Sequence, residues 1–210
     1  SSQIYVTGNT VIDALLLMVE KGRLINFSDT ILEIMPFLQA KNNDASKIVL
    51  VTGHRRENFG QAFENICEAL RDIAIKNPNI KIIYPVHLNP NVQEPVNRIL
   101  SHVDNVFLIE PMEYIFFVKL MNISYLILTD SGGIQEETTA LKIPCLTIRE
   151  NTERPITVDV GSNIVVGSNE KIILKTVDDI LKNQYKKSSV PKYWDGKTSS
   201  RISKILKEIL

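Results

Sequence analysis

The chain contains little cysteine and little tryptophan, and it carries no excess of charge of either sign. Its 210 residues include two Cys and one Trp, and 24 Lys and Arg balance 24 Asp and Glu. This balance argues against a general nucleic-acid binder, which ordinarily has a basic excess, so any bound anion must be held by a local site. Cys67 lies in a helical apolar pattern and Cys145 in a strand-like run, so both are predicted to be buried small hydrophobes rather than a disulfide.

Metal-ligand spacings, long apolar stretches and a signal-peptide pattern are also missing from the sequence. Without such spacings we expect no metal, and we expect no cofactor. No apolar stretch reaches the roughly 20 residues that a membrane helix needs. These absences predict a cytoplasmic protein with no membrane partner and no nucleic-acid partner.

Strand-like apolar runs alternate with helical patterns from Lys47 onward. The predicted strands are residues 47–52, 81–86, 106–109, 125–129, 145–148 and 163–166. The predicted helices in this part are residues 63–75, 92–100, 114–121 and 134–141, and a further helix that ends at Leu181. This alternation predicts βαβ units and an α/β fold with a Rossmann-like, doubly wound parallel sheet.

The two ends of the chain have a different pattern. Helices are predicted over residues 11–20 and 29–38, followed by a polar loop over residues 41–46. Asn9 or Thr10 is expected to cap the first helix and Gly22 to close it. After residue 182 a polar tail leads into an amphipathic helix over residues 200–210, whose apolar stripe is expected to pack on its own domain.

Four polar segments follow predicted strands at their carboxyl ends, where ligands bind in sheets of this kind. They are residues 53–60, 87–91, 130–133 and 149–155. The segment that joins a strand to a helix through Ser131, Gly132 and Gly133 carries most weight. Its glycines let backbone N–H groups approach an anion, and the helix dipole favours negative charge there. The alternative is a glycine turn that only makes room for a tight connection.

His54 is the best catalytic candidate, because a histidine near neutral pH can bind phosphate as a cation or transfer a proton. His87 follows a strand in the same way and is a candidate for a phosphate or ribose contact. Arg55 and Arg56 crowd His54, and one of the two is expected to be only a solvated side chain. His102 is expected at the surface.

Three further side-chain types are candidates for a nucleotide. Glu137, more than one turn into the helix after the glycines, can accept hydrogen bonds from a ribose. Arg154 can clamp a phosphate, or it can form a surface pair with Glu153. Met112 and Phe117 can flank a flat base, although apolar residues at helical spacing usually belong to the core.

These segments together resemble the non-hydrolysing UDP-N-acetylglucosamine 2-epimerases. The matching blocks are residues 6–13, 52–58, 86–92, 129–137 and 152–155, with residues 195–202 similar to the family's closing helix. The resemblance implies the carboxy-terminal lobe of a two-lobed fold like that of the type-B glycosyltransferases. It divides the chain into lobe-junction helices and a linker over 1–46, a UDP-binding Rossmann-like lobe over 47–182, and a tail and closing helix over 183–210.

The resemblance also implies an isomerase activity. The family interconverts UDP-GlcNAc and UDP-ManNAc by eliminating UDP and adding it back, which supplies precursors for cell-surface polysaccharides. His54 matches the family's active-site histidine, with Arg55 as a neighbouring substrate contact. The remaining matches are diphosphate contacts at His87, Ser131, Gly132, Gly133 and Arg154, a ribose contact at Glu137, and walls of the uracil pocket at Met112 and Phe117.

Some features depart from the family or stay open. We expect the amino-terminal lobe and its carboxylates to be missing, so that the isolated chain is inactive, and we expect the full-length enzyme to be a homodimer. The family's closing helix usually crosses to the other lobe, so the alternative for its apolar stripe here is exposure or pairing with another chain. Ile156 stands where many members have an acidic residue, which leaves the exact sugar open. The alternatives are a lobe of a related UDP-sugar epimerase or glycosyltransferase, or a non-catalytic nucleotide-binding module.

Overall fold

The computed structural model describes residues 4–39 and 46–209. Most of the predicted loop 41–46, and the last residue of the predicted closing helix, therefore lie outside the described residues. The strands are β1 (Lys47–Thr52), β2 (Ile80–Pro85), β3 (Val106–Ile109), β4 (Leu126–Thr129), β5 (Cys145–Thr147) and β6 (Asn163–Val165). The helices are α1 (Thr10–Arg23), α2 (Asp29–Ile34), α3 (Gln61–Lys76), α4 (Pro90–Leu100), α5 (Tyr114–Ile123), α6 (Gly132–Leu141), α7 (Pro155–Asp159), α8 (Glu170–Leu181) and α9 (Thr198–Ile209).

The six strands form one parallel sheet in the order β3-β2-β1-β4-β5-β6. This order confirms the predicted α/β fold with a Rossmann-like, doubly wound sheet. The order reverses between β1 and β4, because β2 and β3 lie on one side of β1 and the later strands on the other. A crevice opens at such a reversal beyond the carboxyl ends of the two strands, which is where ligands bind in open α/β sheets.

Both faces of the sheet are buried, which explains why its strands are continuous apolar runs. In β1, Val49 and Val51 belong to an apolar cluster that includes the buried sides of α3, α4 and α8. Ile48 and Leu50 point to the other face, into a cluster with α1 and α5. Neither predicted cysteine position forms a disulfide: Cys67 and Cys145 are free and buried, and burial raises the pKa of each thiol to about 12.

The helices differ from the predicted ones in three places. Asn9 caps α1 as predicted, accepting a hydrogen bond from a backbone N–H at 3.0 Å. Gly22 does not close α1, which continues to Arg23; Gly22 is buried where the side chain of Lys119 crosses the helix. The predicted helix 29–38 divides into α2 and a short 3₁₀ turn at Pro36, because proline cannot donate the backbone hydrogen bond that would continue the helix. Helix α7 was not predicted.

The first and last parts of the chain are held together. The Asp13 carboxylate accepts hydrogen bonds from the Thr198 N–H at 3.1 Å and from the Ser199 N–H at 2.7 Å, so it caps the start of α9. Arg201 donates to the Thr7 carbonyl at 3.2 Å. The predicted division at residues 46 and 182 stays a prediction. Among the described residues, no helix is long and apolar enough to cross a membrane.

Candidate functional site

The candidate site lies at the carboxyl ends of β1 and β4, where the strand order reverses. The polar segments that follow β1, β2, β4 and β5 all reach this edge of the sheet. Those after β1 and β2 line a cleft of about 480 Å³, with His54, Arg55, His87 and Asn89 in its wall. The topology therefore brings together the segments that the sequence marks as ligand-binding.

Asp130, at the end of β4, joins two of these segments. Its side chain is fully buried. One carboxyl oxygen, Oδ2, accepts hydrogen bonds from the backbone N–H groups of His54 and Arg55, each at 2.7 Å. The other oxygen, Oδ1, lies 3.5 Å from Nδ1 of His54. The sequence places Asp130 beside the glycine turn but does not reveal this role, because its partners are 76 and 75 residues away in the chain.

His54 and His87, the two predicted histidines, lie face to face. Their ring centroids are 5.3 Å apart and their planes differ by 14°. The N–H of Asn89 donates to Nδ1 of His87 at 3.1 Å, so neutral His87 carries its proton on Nε2. Nε2 of His87 is thus a hydrogen-bond donor at the cleft.

The glycine turn has the geometry of an anion site. Helix α6 begins at Gly132, and the Ser131 side chain makes no capping hydrogen bond to it. The first N–H groups of a helix lack intrahelical partners, and they create a positive potential that attracts an anion. The Arg154 side chain crosses this end of the helix: a Cβ at Gly132 would lie 3.7 Å from its Cγ and 3.8 Å from its Nε. Ser131, Gly132, Gly133 and Arg154 therefore form one cationic corner.

Arg154 is oriented from two sides. Its Nε lies 3.1 Å from Oε1 of Glu136, on the same helix as the glycines. Its backbone N–H donates to the hydroxyl of Thr152 at 3.0 Å. The alternative, an ion pair between Arg154 and Glu153, does not form. The Arg154 guanidinium donates to the backbone carbonyl of Glu153, at 3.3 Å, and not to its carboxylate. The Glu153 carboxylate binds Arg149 instead.

A buried polar network supports the Arg154 segment from below. Gln135 is fully buried, and its Oε1 accepts from the Thr152 hydroxyl at 2.5 Å and from Nδ2 of Asn163 at 3.2 Å. Asn163 also bonds the hydroxyls of Thr147 and Thr157, at 2.7 and 3.1 Å. These groups join α6, β5, β6 and α7, so they fix the position of the Arg154 segment relative to the glycine turn.

Arg149, which sequence reasoning did not single out, connects the segments after β1 and β5. Its side chain is only 5% exposed and it binds the carboxylates of Glu57 and Glu153. Hydrogen bonds to Glu153, and to a lesser extent to Glu57, raise the pKa of the Arg149 guanidinium. The hydrogen bond from Arg149 in turn lowers the pKa of Glu153 to about 2. An arginine directly after the apolar run 145–148 is the signal that was available in the sequence.

Glu137, the predicted ribose contact, is nearly buried one turn along α6 from the glycines. The Tyr114 hydroxyl donates to its Oε1 at 2.5 Å. Burial raises the pKa of Glu137 above its ordinary value, while the Tyr114 hydrogen bond opposes this rise. Tyr114 stands at the start of α5, and sequence reasoning did not include it.

Met112 and Phe117, the predicted walls of a base pocket, are half-buried and pack against the apolar cluster beneath α5. The structure thus gives both residues a core contact and leaves part of each side chain accessible. Arg55 and Arg56 are exposed beside His54, and His102 is exposed as predicted.

Comparison with known proteins places the chain in a family. A family model described as UDP-N-acetylglucosamine 2-epimerase matches residues 1–207. The chain is 51% identical over 213 residues to the UDP-N-acetylglucosamine 2-epimerase of Salmonella typhimurium, covering 98% of this chain and 55% of that protein. The chain thus spans about half the length of the curated relatives it matches.

Solved structures agree with this match. The UDP-GlcNAc 2-epimerase from Neisseria meningitidis, bound to UDP-GlcNAc, superposes with a TM-score of 0.87 at 40% identity, over 99% of this chain and 56% of that one. The S. aureus MnaA structure with UDP superposes with a TM-score of 0.85 at 36% identity, over 99% of this chain and 55% of that one. The family match over nearly the whole chain and these two superpositions lead to one conclusion: the chain belongs to the UDP-N-acetylglucosamine 2-epimerase family.

Proposed function

We propose that this chain binds the UDP part of a UDP-sugar at the carboxyl edge of the sheet, where the cleft lined by His54 and His87 lies beside the start of α6. The observation that carries the proposal is the corner where the Arg154 side chain crosses the start of α6 at Gly132. Free N–H groups, a helix dipole and a guanidinium converge there, and together they suit a diphosphate. The structure of the Neisseria meningitidis relative contains UDP-GlcNAc, and that of the S. aureus relative contains UDP.

The other predicted contacts follow from this placement of the diphosphate. His87 can donate from Nε2 to a phosphate oxygen, because its Nδ1 is already occupied by the Asn89 N–H. Glu137 can accept hydrogen bonds from the ribose hydroxyls once Tyr114 releases or shares its carboxylate. The accessible parts of Met112 and Phe117 are the proposed walls for the uracil ring.

We propose further that the whole protein is an isomerase that interconverts UDP-GlcNAc and UDP-ManNAc. UDP leaves from C1 as a proton is lost from C2, which gives a 2-acetamidoglucal. UDP then adds back to C1 as a proton is added to the opposite face of C2. In this scheme the cleft described above holds the leaving UDP with His54 beside it. The carboxylates that act on C2 belong to the part of the relatives that this chain does not cover.

Binding of UDP to the chain tests the first part of the proposal. Calorimetry should show UDP binding, and Arg154→Ala should weaken it by about tenfold to a hundredfold, since charge-assisted hydrogen bonds to phosphate are lost. Arg71→Ala is a matched control, because the ion pairs that Arg71 makes within the described residues lie on the surface of α3, with Glu68 and Asp72. Uridine lacks the diphosphate, so its affinity for the Arg154→Ala chain should equal its affinity for the unchanged chain. Absence of UDP binding at millimolar concentration would contradict the proposal.

A chimera tests the reaction. The part of the Salmonella typhimurium relative that the chain does not cover, joined to this chain, should interconvert the two epimers and incorporate solvent deuterium at C2. His54→Ala should remove most of this activity. A chimera that folds and binds UDP but shows neither epimerisation nor exchange at C2 would favour a transferase or a nucleotide-binding module.

A homodimeric assembly and a location in the cytoplasm stay predictions. The apolar side chains Leu206 and Ile209 on α9 are 50% and 59% exposed, whereas Ile202 and Ile205 of the same stripe are half-buried, so only part of the stripe packs on the domain. We propose that another lobe or another subunit covers the exposed part. Light scattering of the chain and of the chimera, each with and without Leu206→Ser, measures the oligomeric state.

A further inference from the structure

The two stacked histidines of the cleft differ in what faces their Nδ1 atoms. His87 Nδ1 accepts a hydrogen bond from a backbone N–H, that of Asn89, at 3.1 Å. His54 Nδ1 instead faces a carboxyl oxygen, Oδ1 of Asp130, at 3.5 Å. A donor on one side and an acceptor on the other require opposite positions of the imidazole proton.

The Asp130 carboxyl is arranged to act on His54. Its Oδ2 is saturated by two backbone N–H groups at 2.7 Å, which prevent the side chain from rotating. Its Oδ1 is buried and has no hydrogen-bond partner within residues 4–39 and 46–209, and Nδ1 of His54 lies 3.5 Å from it. A buried acceptor without a partner is unfavourable, so a donor on Nδ1 of His54 is the arrangement that relieves it.

We infer that Asp130 is a positioning residue that holds His54 as the tautomer with its proton on Nδ1, leaving the lone pair of Nε2 for the ligand. The separation of 3.5 Å is longer than an ordinary N–H···O distance, and a small shift of the half-exposed ring closes it. Hydrogen bonds of catalytic groups are often long before a ligand binds and shorten in the complex.

The inference separates the roles of the two histidines, and this consequence rests on the proposed function. His87 presents an N–H to the cleft and suits a phosphate oxygen. His54 presents a lone pair and suits a group of the bound UDP-sugar that gives up a proton or donates a hydrogen bond. A proton accepted at Nε2 would make an imidazolium whose charge the Asp130 carboxylate balances, and the same nitrogen returns that proton to the ligand in the reverse step.

Nitrogen NMR of the histidine side chains reads these tautomers directly. The chain has three histidines, so a ¹⁵N-histidine sample gives three sets of ring nitrogens, and His102→Gln removes the set that does not belong to the cleft. Above about pH 8, where imidazole is neutral, the unchanged chain should show His54 protonated on Nδ1 and His87 on Nε2. The bond to Asp130 should give the Nδ1–H form of His54 an excess of about tenfold or more.

Asp130→Asn supplies the matched variant. Its amide oxygen can still accept the two backbone N–H groups, which leaves the NH₂ group facing His54 Nδ1 as a donor. The His54 proton should then move to Nε2, while the signals of His87 and His102 stay unchanged. His54 protonated on Nε2 in the unchanged chain would overturn the inference, and so would a tautomer that Asp130→Asn leaves unaltered.

This test does not depend on the proposed function. If the Asp130→Asn chain fails to fold, the spectrum of the unchanged chain decides alone. If His54 is protonated on Nδ1 but calorimetry shows no UDP binding, the inference stands and the proposed function fails. If UDP binds while His54 is protonated on Nε2, the proposed binding of UDP stands and the inference about Asp130 fails.

Discussion

Polar side chains at the two edges of the sheet bond in different ways. At the amino edge, the Asn105 amide donates to three backbone carbonyls, those of Ala74, Asn77 and Ile80, at 2.9 to 3.3 Å. At the carboxyl edge, Gln135 and Arg149 bond to other side chains, and Asp130 Oδ1 and Gln135 Nε2 are buried with no partner in the part of the chain that the structure describes. Asn105 thus closes turns at the amino edge, whereas Asp130 Oδ1 and Gln135 Nε2 hold polar atoms at the carboxyl edge in positions that closing a turn does not require.

The largest expected effect comes from removing the Asp130 carboxyl. Asp130→Ala leaves the N–H groups of His54 and Arg55 without their acceptor, so we expect the free energy of unfolding to fall by about 2–4 kcal/mol. Asp130→Ala should also abolish UDP binding, because the segment after β1 is no longer bonded to the glycine turn. Urea denaturation and calorimetry measure the two effects.

Asn105→Ala is the control at the opposite edge. It removes three hydrogen bonds to backbone carbonyls, so unfolding should become easier by about 1–3 kcal/mol. Its UDP affinity should equal that of the unchanged chain, since the turn that it closes lies at the far end of the strands. Equal loss of UDP affinity in both variants would mean that the two edges do not differ in function.

The second effect concerns Arg149 and the dependence of stability on pH. The pKa of Glu153 is about 2 in the folded chain and 4.5 ordinarily, so the ionised Glu153 stabilises the fold above pH 4.5 and loses that contribution as the pH falls toward 2. Arg149→Met removes the cause of this shift. We expect it to lower the free energy of unfolding at pH 7, because the hydrogen bonds from Arg149 are lost, and to make the loss of stability in acid less steep.

Urea midpoints at pH 7, 5 and 3 measure this change. Arg98→Met is the matched control, because Arg98 also joins two carboxylates, Glu64 and Glu94, but half-exposed on the helix surface. It should change stability at pH 7 much less than Arg149→Met does, because exposed ion pairs contribute little. An acid dependence in Arg149→Met as steep as in the unchanged chain would show that the Glu153 contact does not persist in solution.

The smallest expected effect tests the network beneath Arg154. Gln135→Met keeps the length of the side chain but removes the acceptor for Thr152 and Asn163, so unfolding should become easier by about 1–2 kcal/mol. UDP affinity should fall by roughly tenfold or less, because Arg154 is less well positioned. In a chain that already carries Arg154→Ala, the change should not affect UDP affinity further. Additive losses would place Gln135 outside this coupling.

The sequence predicted the elements of the fold better than the contacts of the site. All six strands were found within a residue or two at each end, because strands buried on both faces are continuous apolar runs. The edge of the sheet where the four polar segments meet could be predicted, because turns at the carboxyl ends of parallel strands lie together. Helix α7 was missed because its five residues show too little of a helical period.

The pairings inside the site could not be predicted in the same way. Arg149 binds Glu57 across 92 residues of sequence, and Asp130 binds the His54 N–H across 76. Local patterns contain no information on which side chains meet over such distances. Gly22 shows the same limit, because its contact with Lys119 on α5 depends on how two helices cross.

The central claim is that the start of α6 holds the diphosphate, and amide NMR during a UDP titration tests it most directly. The account predicts that the ¹H–¹⁵N signals of Gly132 and Gly133 shift most, and that the Asn105 amide at the opposite edge does not respond. Arg154→Ala should require a higher UDP concentration for the same shifts. Saturable UDP shifts that leave Gly132 and Gly133 unaltered would contradict the account.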